Sequence, residues 1–232
     1  SPFSSDGSKL LFTQTTNYTS SSPNMEIYSM DFPSGTPSRL TYTSNSDVWP
    51  TFSPDGTKIA YVYYEWQSLG DGDIWIMDAD GLNKTQLTDY EYAKRTELLF
   101  TPDGTKIIYV HENKNIFSMN TDGTSHENLS EDYTDDPMNN DIMISPDGSK
   151  IVFKSFRDAD VEIYIVDIDG SNLINLTNSV GEDINPKFSP DGTKIVFSSS
   201  RSGNYEIYLM DIDGSNLQQL TDNDLDDYYP EF

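Results

Sequence analysis

The chain has 232 residues, no cysteine and a formal net charge of −25, because 39 Asp and Glu outnumber 14 Lys and Arg. This length supports a real hydrophobic core, and the lack of cysteine excludes a disulfide scaffold and a thiol nucleophile. A surface this negative repels nucleic-acid phosphates and anionic membranes, which leaves cations, basic protein segments and neutral glycans as ligands. No apolar run reaches the roughly 18 residues that a membrane-spanning helix needs.

One unit of about 45 residues recurs along the chain. Its first landmark is a tetrapeptide of the type Ser-Pro-Asp-Gly, which begins at residues 4, 53, 101, 145 and 189. A Lys-led apolar run such as KIVF (150–153) follows, then a segment such as EIYLMD (206–211), and a Leu-Thr or Leu-Ser pair closes the unit. Five copies with four landmarks in the same order predict one structural unit that is repeated five times.

Each unit predicts four short β-strands. The first ends at the apolar residue before Ser-Pro-Asp-Gly, the second is the Lys-led run, the third is the EIYLMD type, and the fourth surrounds the Leu-Thr pair. Asp-Gly is a strong hairpin signal, and it lies between strands one and two and again between strands three and four. A helix is not favoured, since no segment keeps a 3.6-residue apolar period over ten residues.

Four-stranded antiparallel units of this length are typical of the blades of a β-propeller, which pack side by side because one small sheet cannot cover its own apolar faces. We therefore predict an all-β, five-bladed propeller that forms a single domain over residues 1–232. The predicted blades are 46–93, 94–137, 138–181 and 182–225, preceded by a first blade that combines 1–45 with 226–232.

The C-terminal stretch YPEF (229–232) repeats the pattern of WPTF (49–52) and NPKF (185–188), which precede later parts of their units. We expect residues 229–232 to pair beside Leu10 to Phe12 and to close the ring as the inner strand of the first blade. Residues 1–3 match the same position and compete for it. A six-bladed ring is the alternative.

The landmarks also carry a family resemblance. Residues 185–197 (NPKFSPDGTKIVF), followed by an Arg-x-Gly-x-x-Glu-Ile-Tyr segment at 201–208, an Asp-x-Asp-Gly turn and a Leu-Thr pair, resemble the WD40-like PD40 repeat of TolB-type propellers. The resemblance covers essentially the whole chain. It implies a non-catalytic ligand- or protein-binding module in a periplasmic or extracellular setting. It also implies that Arg157, Arg201, Glu162 and Glu206 mainly stabilise their blades.

Candidate ligand-binding residues come from two positions of the repeat, five and three residues before the end of each first strand. Because equivalent positions of a ring lie at similar height around its axis, we expect them to form an acidic funnel at one mouth. The first position gives Asp47, Arg95, Asn139, Asp183 and Asp227, and the second gives Trp49, Glu97, Asp141, Asn185 and Tyr229.

The funnel has three interpretations. Asp47, Asp183 and Asp227 provide hard oxygen ligands of the kind that Ca²⁺ prefers, although no cofactor is required. A protein or peptide partner, especially a basic one, fits the same charge. Alternatively, each Asp orders its own link between blades and binds nothing.

Other functional classes have less support in the sequence. A Gly-x-Ser-x-Gly motif is absent, and His111 and His126 are too few for a multi-histidine site. A carboxylate pair such as Asp183 with Asp227 is the element that glycosidase chemistry would need. A glycan-binding module would instead use aromatic platforms, namely Trp49, Trp66, Tyr63, Tyr64 and Tyr229. A structural spacer of a larger extracellular protein is a third alternative. We expect a monomer that does not insert into membranes and does not bind nucleic acid.

Overall fold

A computed structural model describes residues 2–16, 24–64, 71–89, 93–94, 98–111, 115–130, 139–158 and 160–232. These residues group into two compact units. The first comprises residues 1–112 with 117–126, and the second comprises residues 113–116 with 127–232. Within the described ranges, no helix has the length and apolar character that crossing a membrane requires.

The described residues form five antiparallel sheets, each built from strands that are consecutive in the chain. The first sheet contains β1 (Lys9–Thr15), β2 (Met25–Asp31) and β3 (Ser38–Arg39). The second contains β4 (Ser46–Phe52), β5 (Lys58–Tyr64), β6 (Asp71–Asp78) and β7 (Thr85–Gln86), and β8 (Ala93–Lys94) also pairs with β6.

The other three sheets have four strands each. The third contains β9 (Leu99–Phe100), β10 (Lys106–Val110), β11 (Ile116–Asn120) and β12 (Glu127–Asn128). The fourth contains β13 (Asn140–Ile144), β14 (Lys150–Ser155), β15 (Glu162–Asp167) and β16 (Ile174–Asn175). The fifth contains β17 (Asp183–Phe188), β18 (Lys194–Ser199), β19 (Glu206–Asp211) and β20 (Gln218–Gln219). The prediction of an all-β chain built from five antiparallel blades is confirmed.

The Ser-Pro-Asp-Gly turn is held by its own aspartate. In the second sheet, Oδ1 of Asp55 accepts hydrogen bonds from the Ser53 hydroxyl at 2.6 Å and from the Thr57 amide at 3.0 Å. The next residue, Lys58, reaches across to Asp78 at 2.6 Å. The two hydrogen bonds to the turn aspartate, one from a hydroxyl and one from a backbone amide, recur around Asp6, Asp103, Asp147 and Asp191.

The fourth strand of a blade is fixed by a glutamate at the start of the third strand. Glu206 accepts hydrogen bonds from the Thr221 hydroxyl at 2.5 Å and from the Asn223 amide at 2.8 Å. The same hydroxyl accepts the amide of Ile207 at 2.9 Å. Glu162 with Thr177 and Glu26 with Thr41 repeat the arrangement, so the blade-stabilising role expected for these glutamates agrees with the contacts.

Apolar clusters lie on the buried faces of the sheets within each unit. In the first unit, Ile59, Val62 and Ile74 are fully buried. In the second unit, Ile163, Ile195 and Phe197 belong to one cluster and are also fully buried. The Lys-led runs supply most of these residues, as expected for strands that are covered on both faces.

In the second to fifth blades, the glycine of the turn between the third and fourth strands packs on the leucine that closes the preceding blade. Gly81 has a φ of +86°, and a Cβ at this residue would lie 2.9 Å from the carbonyl oxygen of Leu40. A Cβ at Gly123 would likewise lie 2.9 Å from the carbonyl oxygen of Leu87. In the second unit, Gly170 packs against Leu129 and Gly214 against Leu176. Leu220, the corresponding residue of the fifth blade, is 52 % exposed.

Replacing Gly81 with alanine should therefore destabilise the protein more than replacing Gly56. Both glycines have positive φ, so each alanine carries the cost of a left-handed residue, about 1 kcal/mol. Only Gly81→Ala adds a clash, because nothing lies within 4 Å of a Cβ at Gly56. We expect the loss of unfolding free energy in urea to be larger for Gly81→Ala by about 1–3 kcal/mol. Equal losses for the two variants would contradict this packing.

Closure of the ring by residues 229–232 is not detected in the described residues, and it stays a prediction. Leu10 pairs with Phe3, and the Leu11 amide donates to the carbonyl oxygen of Pro2 at 2.7 Å, so the N-terminal segment contacts the strand that residues 229–232 were expected to join. Residues 222–232 are described and form no strand. The assignment of 1–232 to one domain stays a prediction.

Candidate functional site

The second candidate position of the repeat coincides with a β-bulge. The pairing of the first and second strands shifts register between Val48 and Thr51, between Asn140 and Met143, and between Ile184 and Lys187. The residues inside these bulges have left-handed backbones: Trp49 has a φ of 51°, Asp141 of 53° and Asn185 of 55°. We call these residues the bulge residues, and we extend the name to Tyr229, which has a φ of 56° at the equivalent position of the repeat but lies in no strand.

A left-handed backbone is uncommon for residues other than glycine, and it is a strained conformation for bulky ones such as Trp and Tyr. Bulges re-aim side chains, and they concentrate next to functional sites. Trp49 is 41 % exposed and Tyr229 is 74 % exposed, so the two aromatic bulge residues present their rings to solvent. The sequence selected these positions by spacing but gave no indication of their backbone conformation.

In the second unit, the bulge residues of adjacent sheets touch each other. The Asn185 amide nitrogen donates to Oδ2 of Asp141 at 3.4 Å, and the Lys154 ammonium lies 2.9 Å from the same oxygen. Oδ1 of Asn185 is buried and has no hydrogen-bond partner among the described residues. The expectation that equivalent positions lie side by side therefore agrees with the contact between these two sheets.

Lys154 was not selected from the sequence, although a signal was present. It stands in the second strand of its blade at a position where the other blades carry Thr13, Val62, Val110 and Ser198. A lysine inside an apolar run is a departure from the repeat. An ion pair between Lys154 and Asp141 could have been predicted from it, because the strands that carry these residues were expected to pair.

The first candidate position serves the links between blades. Oδ2 of Asp47 accepts the Thr43 hydroxyl at 3.0 Å, and Oδ2 of Asp183 accepts the Ser179 hydroxyl at 3.0 Å. Oδ2 of Asp227 accepts a hydrogen bond from the side-chain amide of Asn223 at 2.9 Å. Each donor lies four residues earlier in the link itself. These contacts support the interpretation in which each carboxylate orders its own link.

Two arginines reinforce these links. Nη2 of Arg201 donates to both carboxylate oxygens of Asp183, at 3.0 and 2.9 Å, and the guanidinium lies over the Tyr208 ring at 4.9 Å. Arg157 lies over Tyr164 at 4.5 Å and donates to Oδ1 of Asn139 at 3.3 Å. The structural role predicted for both arginines agrees with this geometry.

Asp47 differs from Asp183 because no cation is paired with it among the described residues. It is fully buried, and Oδ1 has no hydrogen-bond partner in the described part of the chain. Burial raises the pKa of Asp47 from 3.8 to about 7, against hydrogen bonds from Thr43 and Thr41, and the nearby Glu26 adds to the rise. Burial likewise raises the pKa of Glu162, with a smaller contribution from Asp183.

Asp47→Asn should stabilise the protein at neutral pH. Below about pH 4, Asp47 is protonated in both states and contributes nothing. Between about pH 4 and 7 the carboxyl ionises in the unfolded chain but stays neutral when buried, so the free energy of unfolding falls as pH rises. Asparagine does not ionise, so the variant should keep about 2–4 kcal/mol of unfolding free energy that the wild type loses by pH 7. Urea unfolding of both proteins between about pH 4 and 7 measures this difference.

Asp183→Asn is the matched control, because it makes the same change where the carboxylate is paired with Arg201. Breaking that buried pair should lower the free energy of unfolding at pH 7 by about 3 kcal/mol. If both substitutions change stability in the same direction, the difference assigned to the two environments is wrong.

The remaining candidates divide into described and undescribed residues. Arg95, Glu97 and Trp66 lie outside the described residues. The hydroxyl of Tyr109 donates to Nδ1 of His126, whose Nε2 donates to the Gly123 carbonyl, so this histidine is engaged in the turn. The rings of His111 and Phe117 lie 5.1 Å apart.

The described residues contain no group of three or more His, Cys, Asp or Glu side chains arranged to hold a metal ion. The calcium interpretation of Asp47, Asp183 and Asp227 stays a prediction.

The sequence matches the PD40 family of TolB β-propeller domains over residues 1–144 and 137–232. Because these ranges cover the whole chain, the protein belongs to this family, and the predicted propeller class is confirmed. An uncharacterized protein of Agrobacterium fabrum is 38 % identical over 164 residues, which cover 67 % of this chain and 40 % of that protein. The chain thus spans less than half the length of this relative.

Solved structures give the same fold. A putative TolB from Agrobacterium tumefaciens is 25 % identical with a TM-score of 0.66, covering 94 % of this chain and 78 % of its own. TolB from Acinetobacter baumannii is 22 % identical with a TM-score of 0.68, covering 98 % and 55 %. An oligogalacturonate lyase in complex with manganese is 18 % identical with a TM-score of 0.67, covering 89 % and 63 %. Similarity to the last two concerns the fold alone.

Proposed function

We propose that this chain is a non-catalytic binding module, and that the exposed bulge residue of each unit, Trp49 in the first and Tyr229 in the second, contacts a basic peptide segment of a protein partner. The observation that carries the proposal is the left-handed backbone shared by Trp49, Asp141, Asn185 and Tyr229. Backbone strain persists only where the surrounding structure holds it, and it concentrates at functional sites. Four occurrences at one position of a repeat make an accidental distortion a poor explanation.

The chemistry of the exposed bulge residues suits a cationic partner. The faces of the Trp49 and Tyr229 rings attract ammonium and guanidinium groups, and the net charge of −25 steers cations toward the protein. The carboxylates of the other candidate position are largely engaged in their own links. Specific contact is therefore assigned to the bulge residues, and the remaining acidity supplies long-range attraction. The periplasmic or extracellular setting belongs to the same proposal.

Trp49→Ala and Tyr229→Ala should each weaken the binding of a fluorescein-labelled decalysine peptide, measured by anisotropy. Neither change alters the net charge, so a loss of about fivefold reports the ring contact rather than general attraction. Leu82→Ala is the control, because Leu82 is an exposed apolar residue in an Asp-x-Asp-Gly turn. Equal affinities of the wild type and the three variants for decalysine would contradict the proposal.

A glycan-binding module is the second candidate, because exposed Trp and Tyr rings also stack on sugars. A glycan array with the same aromatic variants separates the two candidates. Glycan binding that is lost in Trp49→Ala, with no binding of decalysine, would replace the peptide proposal. A structural spacer would bind neither probe.

The calcium prediction has a separate test. Binding of Ca²⁺ to Asp47, Asp183 and Asp227 should raise the melting temperature at about 1 mM Ca²⁺ relative to EDTA. An unchanged melting temperature would remove calcium from the description of this site.

A further inference from the structure

A cavity of about 740 Å³ lies in the first unit, between the second and third sheets and beside their hairpin turns. Its apolar lining includes Ile76, Leu87 and Phe100, and the prolines of two turns, Pro54 and Pro102, also contribute. This volume falls in the range of small-molecule sites. The turns around it were interpreted from the sequence as scaffold.

Two threonines, one from each sheet, border this cavity. Thr85 pairs with Ile76 in the second sheet, and Thr121 follows β11 in the third sheet, and both line the cavity. In the second unit, the equivalent residues of the fourth and fifth blades are Ile174, which pairs with Ile165, and Ile212. Ile212 packs against the cluster that contains Ile165 and Phe188. Thr121 therefore leaves room that Ile212 fills in the fifth blade, whereas Ile174 is 53 % exposed and fills none.

The rim of the cavity is negative. Asp55, Asp103 and Asp122 line it, and hydrogen bonds from Ser or Thr side chains and amides lower the pKa of all three carboxyl groups. They are consequently ionised at neutral pH. Lys58 also lines the cavity, but its ammonium lies 2.6 Å from the Asp78 carboxylate, which already neutralises it.

We propose that this cavity binds a small organic cation that has an apolar body and a single ammonium group. The body would lie on Ile76, Leu87 and Phe100, and the ammonium would face the three carboxylates of the rim. A neutral ligand would gain only the apolar contact, and an anion would be repelled. The site is independent of the bulge residues, so it stands or falls separately from the proposed peptide binding.

The test uses 2-phenylethylammonium as the probe and 2-phenylethanol as its neutral analogue, with isothermal titration calorimetry on the full chain. Three carboxylates near one ammonium should favour the cation over the alcohol by about fivefold or more at low ionic strength. The preference should shrink in high salt, because these carboxylates are exposed.

Thr121→Ile fills the cavity with the side chain that the fifth blade carries at the same position. It should weaken binding of the ammonium probe by about fivefold or more while leaving the melting temperature unchanged or raised. Thr36→Ile makes the same chemical change at an exposed residue that does not line the cavity, and it should bind as the wild type does.

Any of three results would overturn the proposal. The cation and the alcohol could bind equally, Thr121→Ile could bind the cation as well as the wild type does, or the wild type could show no binding at millimolar probe. A lowered melting temperature in Thr121→Ile would leave the comparison of the two probes on the wild-type protein as the deciding measurement.

Discussion

The contact between a turn glycine and the leucine of the preceding blade is the constraint on which the repeat depends. Gly81 and Gly123 must adopt positive φ to make their turns, and they must also lack a side chain because a backbone lies against them. One residue thus satisfies a local and a tertiary requirement. The contact lets consecutive blades approach closely, and neighbouring blades also meet where Asp141 contacts Asn185 and where the space between Ile76 and Phe100 lies.

Much of the acidity of this protein is structural in origin. Asp55 and its equivalents close the first turn of each blade, Asp78 and its equivalents pair with the lysine of the second strand, and Asp183 orders a link through Arg201. The carboxylates of Asp78 and Asp183 are paired with cations, so they are poor candidates for direct ligation, whereas Asp55 is held only by neutral donors and keeps its charge. Their collective field nevertheless remains, and it favours cationic ligands at any site the protein presents.

The strands and turns followed from the sequence because their signals are local and repeated five times. The candidate positions were also found by spacing alone, since Trp49, Asp141, Asn185 and Tyr229 share one place in the repeat. The left-handed backbone of these residues could not be found in this way, because it results from the fit between two paired strands. Closure by residues 229–232 stays a prediction, since Leu10 and Leu11 are contacted by the nearer residues Phe3 and Pro2.

The sequence by itself determined the blade: its four strands, its hairpins and the residues that each turn requires. Only the tertiary structure decided which equivalent residues behave alike. Asp47 and Asp183 occupy the same position and are both buried, yet Asp183 is paired with Arg201 and Asp47 has no paired cation among the described residues. Thr121 and Ile212 likewise correspond, yet Thr121 lines the cavity of the first unit and Ile212 packs against an apolar cluster of the second. Local signals specify backbone geometry, whereas burial, pairing and empty space depend on neighbours that come from other blades.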